Sequence, residues 1–151
     1  MTSLSYETTI KAPVEKVFGY CTDPENIKEA WPPDIVTSSQ QLSGVKGEKG
    51  STFKILGHYA GKDQEMRMMV IERWPNSKFT TRQTEGPFKT WESIQEFEGN
   101  ESSTHIKHTI HYELPRTGKL LRMVSHNDAD RKIRQAMEDY TQTVKHKLEA
   151  H

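Results

Sequence analysis

The 151-residue sequence contains a single cysteine, Cys21. No intrachain disulfide can form, so nothing in the chain calls for an oxidising compartment. No apolar run approaches the roughly 18 residues of a spanning helix, which argues against stable membrane insertion. The N-terminal MTSLSYETTIKAP lacks a basic start, an apolar middle and a cleavage site, so a cytoplasmic protein is the expectation. An excess of one charge is also missing: Lys plus Arg number 21 and Asp plus Glu number 21. A general nucleic-acid binder needs a surface that neutralises phosphate, and this balance does not supply one. Hydrophobic residues make up only 32% of the chain, so any core must come from patterning rather than from bulk apolarity. A chain of this size can nevertheless bury roughly 70% of its unfolded surface, and its length suggests one domain.

The patterning is clear. SLSYETTI sets Leu4, Tyr6, Thr8 and Ile10 against Ser3, Ser5, Glu7 and Thr9, the alternation of a half-buried strand. After Ala12-Pro13, Val14, Val17, Phe18 and Cys21 fall on one side of a short helix. Asp23-Pro24 caps a second helix, PENIKEAW, which stops before Pro32-Pro33. β-branched and aromatic runs then predict strands near 35–43, 51–59, 63–73, 77–85, 89–98 and 103–114. Their connections are too short for parallel crossovers, so consecutive strands must pair antiparallel. After Leu114-Pro115, GKLLRMV is a short apolar piece that could pack, cover a cavity mouth or contact a second copy. SHNDAD supplies capping residues. Ile133, Ala136, Met137, Tyr140, Val144 and Leu148 then trace the apolar face of a helix of about twenty residues.

Several chemical motifs can be set aside. SGVKGEKGST spaces Gly44, Gly47 and Gly50 three apart with two lysines between, a composition shared with phosphate-binding loops. A phosphate or dinucleotide loop must run into a helix whose N-terminal amides face the anion. Here STFKILGHY follows, and it reads as a strand, so the stretch is a glycine turn. His105, His108 and His111 look like a metal triplet. Strand alternation sends His108 to the face opposite the other two, and His105 and His111 lie about 20 Å apart at strand rise. His126, Asp128 and Asp130 suit an acidic helix start better than a metal. No nucleophile elbow occurs, and Cys21 sits on an apolar helix face, where a thiol behaves as a small hydrophobe. Neither a metal nor another cofactor is expected.

The element order and several phrases resemble the START-like helix-grip superfamily, and within it the polyketide cyclase/dehydrase-like branch. The phrases are TTIKAPVEKVFGYCTDPENIKEAWP, GVKGEKGSTFKI, VIERWPNSKFT, WESIQEFEGNESSTHIKHTIHYELP and the closing KHKLEA. The resemblance implies an α+β fold: a curved antiparallel sheet of about seven strands grips a long C-terminal helix, with two short helices after the first strand. It also implies a cavity between sheet and helix. Members bind lipids, sterols, polyketides, quinones or plant hormones. Some are cyclases or dehydratases, some carry lipid, and some activate a heat-shock chaperone's ATPase. The family has no universal catalytic motif to carry over.

A strongly bent sheet cannot lie flat on one helix, so space remains unless large side chains fill it, and ligand cavities are mostly apolar with a few placed polar groups. On the last strand Ile106, His108, Ile110, Tyr112 and Leu114 share the expected inward face. His108, the one strongly polar member, either orients a ligand group and moves protons, or is a hydrogen-bonded core histidine. Met66 and Met68 offer adaptable apolar surface. Phe53, Ile55, Trp91 and Phe97 are candidate walls, and Met137 and Tyr140 face the same space from the helix. Each of these suits an ordinary core as well. Gln83 and Ser93 are further polar groups able to face inward, while Arg82 points to solvent. The expected function is binding of a small hydrophobic or aromatic molecule, with transport or cyclase/dehydratase-type conversion as its uses. The alternative is a protein-interaction module of the chaperone-ATPase-activator kind, which needs no cavity.

Overall fold

The computed structural model describes residues 1–59, 62–115 and 126–149. The chain runs β1 (Thr2–Ile10), α1 (Val14–Cys21), a 3-10 turn (Pro24–Asn26) and α2 (Ile27–Ala30). There follow β2 (Val36–Ser43), β3 (Thr52–Tyr59), β4 (Lys62–Trp74), β5 (Lys78–Glu85), β6 (Thr90–Gly99), β7 (Thr104–Glu113) and α3 (His126–Glu149). The strands form one antiparallel sheet in the order β1-β7-β6-β5-β4-β3-β2. This is the α+β helix-grip fold. The segment expected as one second helix divides into the 3-10 turn and a four-residue helix. Asp23 caps the turn by accepting the Glu25 amide at 3.0 Å, and Trp31 leaves helical geometry just before Pro32-Pro33. The apolar connector Leu120–Val124 lies outside the described residues. No helix among the described residues is long and apolar enough to cross a membrane.

Curvature comes from the strands themselves. Register shifts interrupt the β2–β3 pairing at Val36/Ser38 and Gln41/Ser43, and the β4–β5 pairing at Arg67/Met68 and Val70/Glu72. Each such irregularity bends the strand and increases its local twist. The concave face of β7 is dry: Ile106, His108, Ile110 and Tyr112 are each no more than 1% exposed, while His105 and Lys107 on the other face are exposed. Against it lies the apolar face of α3, with Ile133, Met137, Tyr140, Val144 and Leu148 all buried.

The helix does not sit over the middle of the sheet. It packs chiefly on β1, the edge strand beside β7. Polar contacts fix that seat: Lys145 Nζ donates to the Thr9 carbonyl at 2.6 Å and Gln142 Nε2 to the Tyr6 hydroxyl at 2.7 Å. The Lys11 amide donates to Glu149 Oε2 at 2.7 Å. α1 fills the other end of the concavity, where the Phe18 ring meets Phe97 edge-on at 5.1 Å between centroids.

The three glycines form the β2–β3 connection, with φ of +77°, +79° and +89°. At Gly47 the loop closes on α1: an added Cβ would stand 2.9 Å from the Thr22 carbonyl oxygen and 3.1 Å from Arg73 Nη1. That guanidinium donates to the Gly47 carbonyl at 2.9 Å and lies over the Phe18 ring, 4.9 Å from its centroid. The loop is thus a clasp between α1 and β4. Gly47→Ala should lower stability by about 1–3 kcal/mol through left-handed backbone strain and the clash with Thr22. Gly19→Ala, in α1 with open space around the position, should raise it by about 0.5–1 kcal/mol. Urea midpoints of the two variants should therefore move in opposite directions.

Candidate ligand cavity

Because α3 leans toward β1, the concave surface of β3 and β4 is left without a helix above it. A cavity of about 620 Å³ opens there. Phe53 and Ile55 of β3, Met66 and Met68 of β4, and Trp91 of β6 form its sheet side. α3 contributes Ile133 and Ala136, and the opposite walls come from Ile27, Trp31, Pro32 and Ile35 and from Pro87 and Phe88 of the β5–β6 turn. Asp34, His58, Lys132, Gln135 and Asp139 are lining residues that are also solvent-exposed, so they mark the mouth. On α3 the residues 132, 135, 136 and 139 follow helical spacing. They form a stripe beside the buried one, so one helix serves both core and cavity.

Six of the residues singled out from sequence line this space: Phe53, Ile55, Met66, Met68, Trp91 and the polar Ser93. Phe97, His108, Ile110, Tyr112, Met137 and Tyr140 do not, and the physical reason is the seat of the helix. Ile110, Tyr112 and Met137 pack together in the core under the N-terminal half of α3, with Leu4, Phe88 and Ile133. Phe97 packs with Phe18, and Tyr140 with Val144 and Ile106 in a second cluster. The Tyr112 hydroxyl is bonded to Asp130 Oδ1. Gln83 does not reach inward either. Its side chain clamps the β5–β6 turn, donating to the Phe88 carbonyl at 2.7 Å and accepting from the Phe88 amide at 3.4 Å. Arg82 lies outside, paired with Glu92 at 2.9 Å. The residues that sequence reasoning missed are chiefly Trp31, Phe88, Ile133 and Ala136. An aromatic side chain in a turn (Phe88) and another at a helix end before two prolines (Trp31) were the available signals.

Trp31 divides the cavity from the core. It stacks on Tyr140, with centroids 4.8 Å apart and planes at 27°, and meets His108 edge-on at 6.0 Å. Behind it, Gln95 Nε2 donates to the Tyr140 hydroxyl at 3.0 Å. Burial pushes the Tyr140 phenol well above its ordinary value and the Cys21 thiol up to about 12, so both stay protonated and unreactive. His108 Nε2 lies 2.8 Å from Ser93 Oγ, and Ser93 is on the cavity wall. His108 Nδ1 is buried and has no hydrogen-bond partner among the described residues. The other two histidines of the triplet point outward: His111 Nδ1 meets Ser3 Oγ at 2.6 Å, and His105 Nε2 lies 3.1 Å from Glu7 Oε1.

Burial pushes the His108 imidazole down to about 4 from its ordinary 6.5, so it is neutral at pH 7. The unfolded chain takes up this proton below its ordinary value, whereas the folded chain resists doing so until about 4. Between those limits the unfolded state holds the extra proton, so stability falls as pH is lowered. Going from pH 7 to pH 5 should cost about 2 kcal/mol through this one group. In urea titrations His108→Leu should show a shallower decline over the same interval than the unmodified protein.

Residues 1–149 match the family model described as polyketide cyclase / dehydrase and lipid transport. Among curated proteins, none matches by sequence. Solved structures share the fold at low identity. A START superfamily protein from Mycobacterium smegmatis is 16% identical with a TM-score of 0.79, the match covering 98% of this chain and 97% of that one. A Thermus thermophilus protein is 21% identical, with a TM-score of 0.78 and coverage of 99% and 98%. The Zhui aromatase/cyclase from a Streptomyces species is 15% identical, with a TM-score of 0.74 and coverage of 98% and 93%. With the sheet, the gripped helix and nearly the whole length matched, the chain belongs to the polyketide cyclase / dehydrase and lipid transport family.

Proposed function

We propose that this protein binds a small hydrophobic or aromatic molecule in the cavity between the sheet and α3. The observation that carries the reading is the cavity itself: about 620 Å³, walled by aromatic rings and methionines. Its volume falls within the range of small-molecule sites, and a mostly apolar wall with a few polar groups is their usual composition. Phe53, Met66, Met68, Trp31, Trp91 and Phe88 supply rings and thioethers that favour flat aromatic or sterol-like shapes. The family's description names both cyclase/dehydrase activity and lipid transport. Carriage is favoured here over conversion, because the titratable lining groups Asp34, His58 and Asp139 are exposed at the mouth, away from the apolar interior where a guest would sit. The protein-interaction alternative needs no such space.

Trp31 and Trp91 both line the cavity, so an occupant should change their fluorescence. A screen of lipids, flavonoids, quinones and polycyclic aromatics should yield compounds that alter tryptophan emission. At about a hundred times Kd they should raise the melting temperature by roughly 5–10 °C. Ala136→Phe places a ring in the cavity from α3. It should weaken those compounds tenfold or more while leaving the circular dichroism spectrum unchanged. A full screen without a stabilising compound would overturn the proposal.

A further inference from the structure

The cavity has a polar spot on its sheet side. Ser93 of β6 and Thr81 of β5 are direct cross-strand partners, and both line the cavity. Side chains of such a pair stand on the same face with Cβ atoms about 4.5–5.5 Å apart, close enough for two hydroxyls to reach one oxygen. Phe53, Met68, Trp91 and Phe88 of the same lining are apolar. Among the described residues the charged lining groups are confined to the mouth.

His108 decides which way the Ser93 hydroxyl points. A neutral imidazole carries one N–H. If the hydrogen were on Nδ1, a buried donor would have no acceptor. If it is on Nε2, it donates to Ser93 Oγ at 2.8 Å and leaves only an unpaired acceptor at Nδ1. Unpaired buried donors are the rarer of the two. With the hydrogen on Nε2, the Ser93 oxygen accepts from the ring and its own hydrogen is free to turn into the cavity. Trp31 and Tyr140 pack their rings against the imidazole, which holds its plane in place.

We propose that Ser93 and Thr81 form a hydrogen-bond-donating anchor for an uncharged acceptor, such as a ketone or ester oxygen, on an otherwise apolar ligand, with His108 orienting the Ser93 hydroxyl. This rests on the binding function proposed above and names its chemistry. Ser93 and Thr81 are the contacting residues, and His108 is a positioning residue. A carboxylate fits the site poorly, because among the described residues the only lining lysine or arginine is the exposed Lys132 at the mouth. Placed at the anchor, an anion would lose its hydration without gaining a counter-charge.

Fluorenone and fluorene provide the test, since they share a tricyclic shape and differ by a carbonyl oxygen. Fluorenecarboxylate adds a charge to the same frame. The three are titrated into the full chain and followed by tryptophan emission. Fluorenone should bind more tightly than fluorene by a factor on the order of ten, and fluorenecarboxylate most weakly. Ser93→Ala and the isosteric Thr81→Val should each shrink the fluorenone preference several-fold and leave fluorene affinity near its original value. His108→Phe should shrink it too, an effect that loss of packing alone would not have, because packing acts on both compounds alike. Equal binding of fluorenone and fluorene by the unmodified protein, or an undiminished preference in Ser93→Ala, overturns the anchor and leaves the binding function standing. Tightest binding by fluorenecarboxylate also overturns it and moves recognition to Lys132. Failure of all three compounds to bind overturns both proposals.

Discussion

The seat of α3 on β1 is the constraint from which the rest of the molecule follows. A straight helix of 24 residues cannot follow a sheet that bends at two interrupted strands, so it can cover only one side of the concavity. Polar contacts from Lys145, Gln142 and Glu149 choose the β1 side. Everything under the helix there is packed solid: Ile106, Ile110, Tyr112, Met137 and Val144 are at most 1% exposed. On the β3–β4 side, Phe53, Ile55, Met66 and Met68 are left to line a space. Core and cavity are therefore two outcomes of one lean, and the short segment around Trp31 marks the line between them.

This also explains what could be read from the sequence. Strand alternation identified the inward face of β7 residue by residue, because a period of two leaves no freedom once one face is buried. Helical spacing identified Ile133, Met137, Tyr140 and Val144 as the buried stripe of α3 in the same way. The glycine stretch was legible as a turn because a strand, not a helix, follows it. Local pattern does not carry the lateral position of the helix, which depends on contacts between residues more than a hundred positions apart, such as Lys145 with Thr9. Met137, Tyr140, Ile110, Tyr112 and His108 were thus correctly inward but sit under the helix instead of beside it. Trp31 and Phe88 were missed for a related reason. They reach the cavity from a helix end and a turn, where no periodicity assigns a face.

The distribution of polar groups follows the dielectric. Charged side chains at the mouth stay hydrated, and those inside the protein are replaced by neutral groups. His108 stays unprotonated, Tyr140 and Cys21 keep their protons, and Gln95 satisfies the Tyr140 hydroxyl. The interior can therefore hold hydrogen-bonding groups without holding charge.

The strand order has a consequence for how the chain comes to be folded. β1, which precedes the other strands, has its only sheet partner among the described residues in β7, with Thr2 opposite Tyr112 and Ile10 opposite Thr104. During synthesis β1 has nowhere to dock until β7, from Thr104 on, has emerged, and the helix that rests on it comes later still. The intervening hairpins can zip up locally, but closing the sheet requires one long-range step, and contacts of that span slow folding. Until then β1 is unpaired and β6 is an open edge beside a greasy inner surface, which makes these intermediates the state in which the chain most needs protection from self-association.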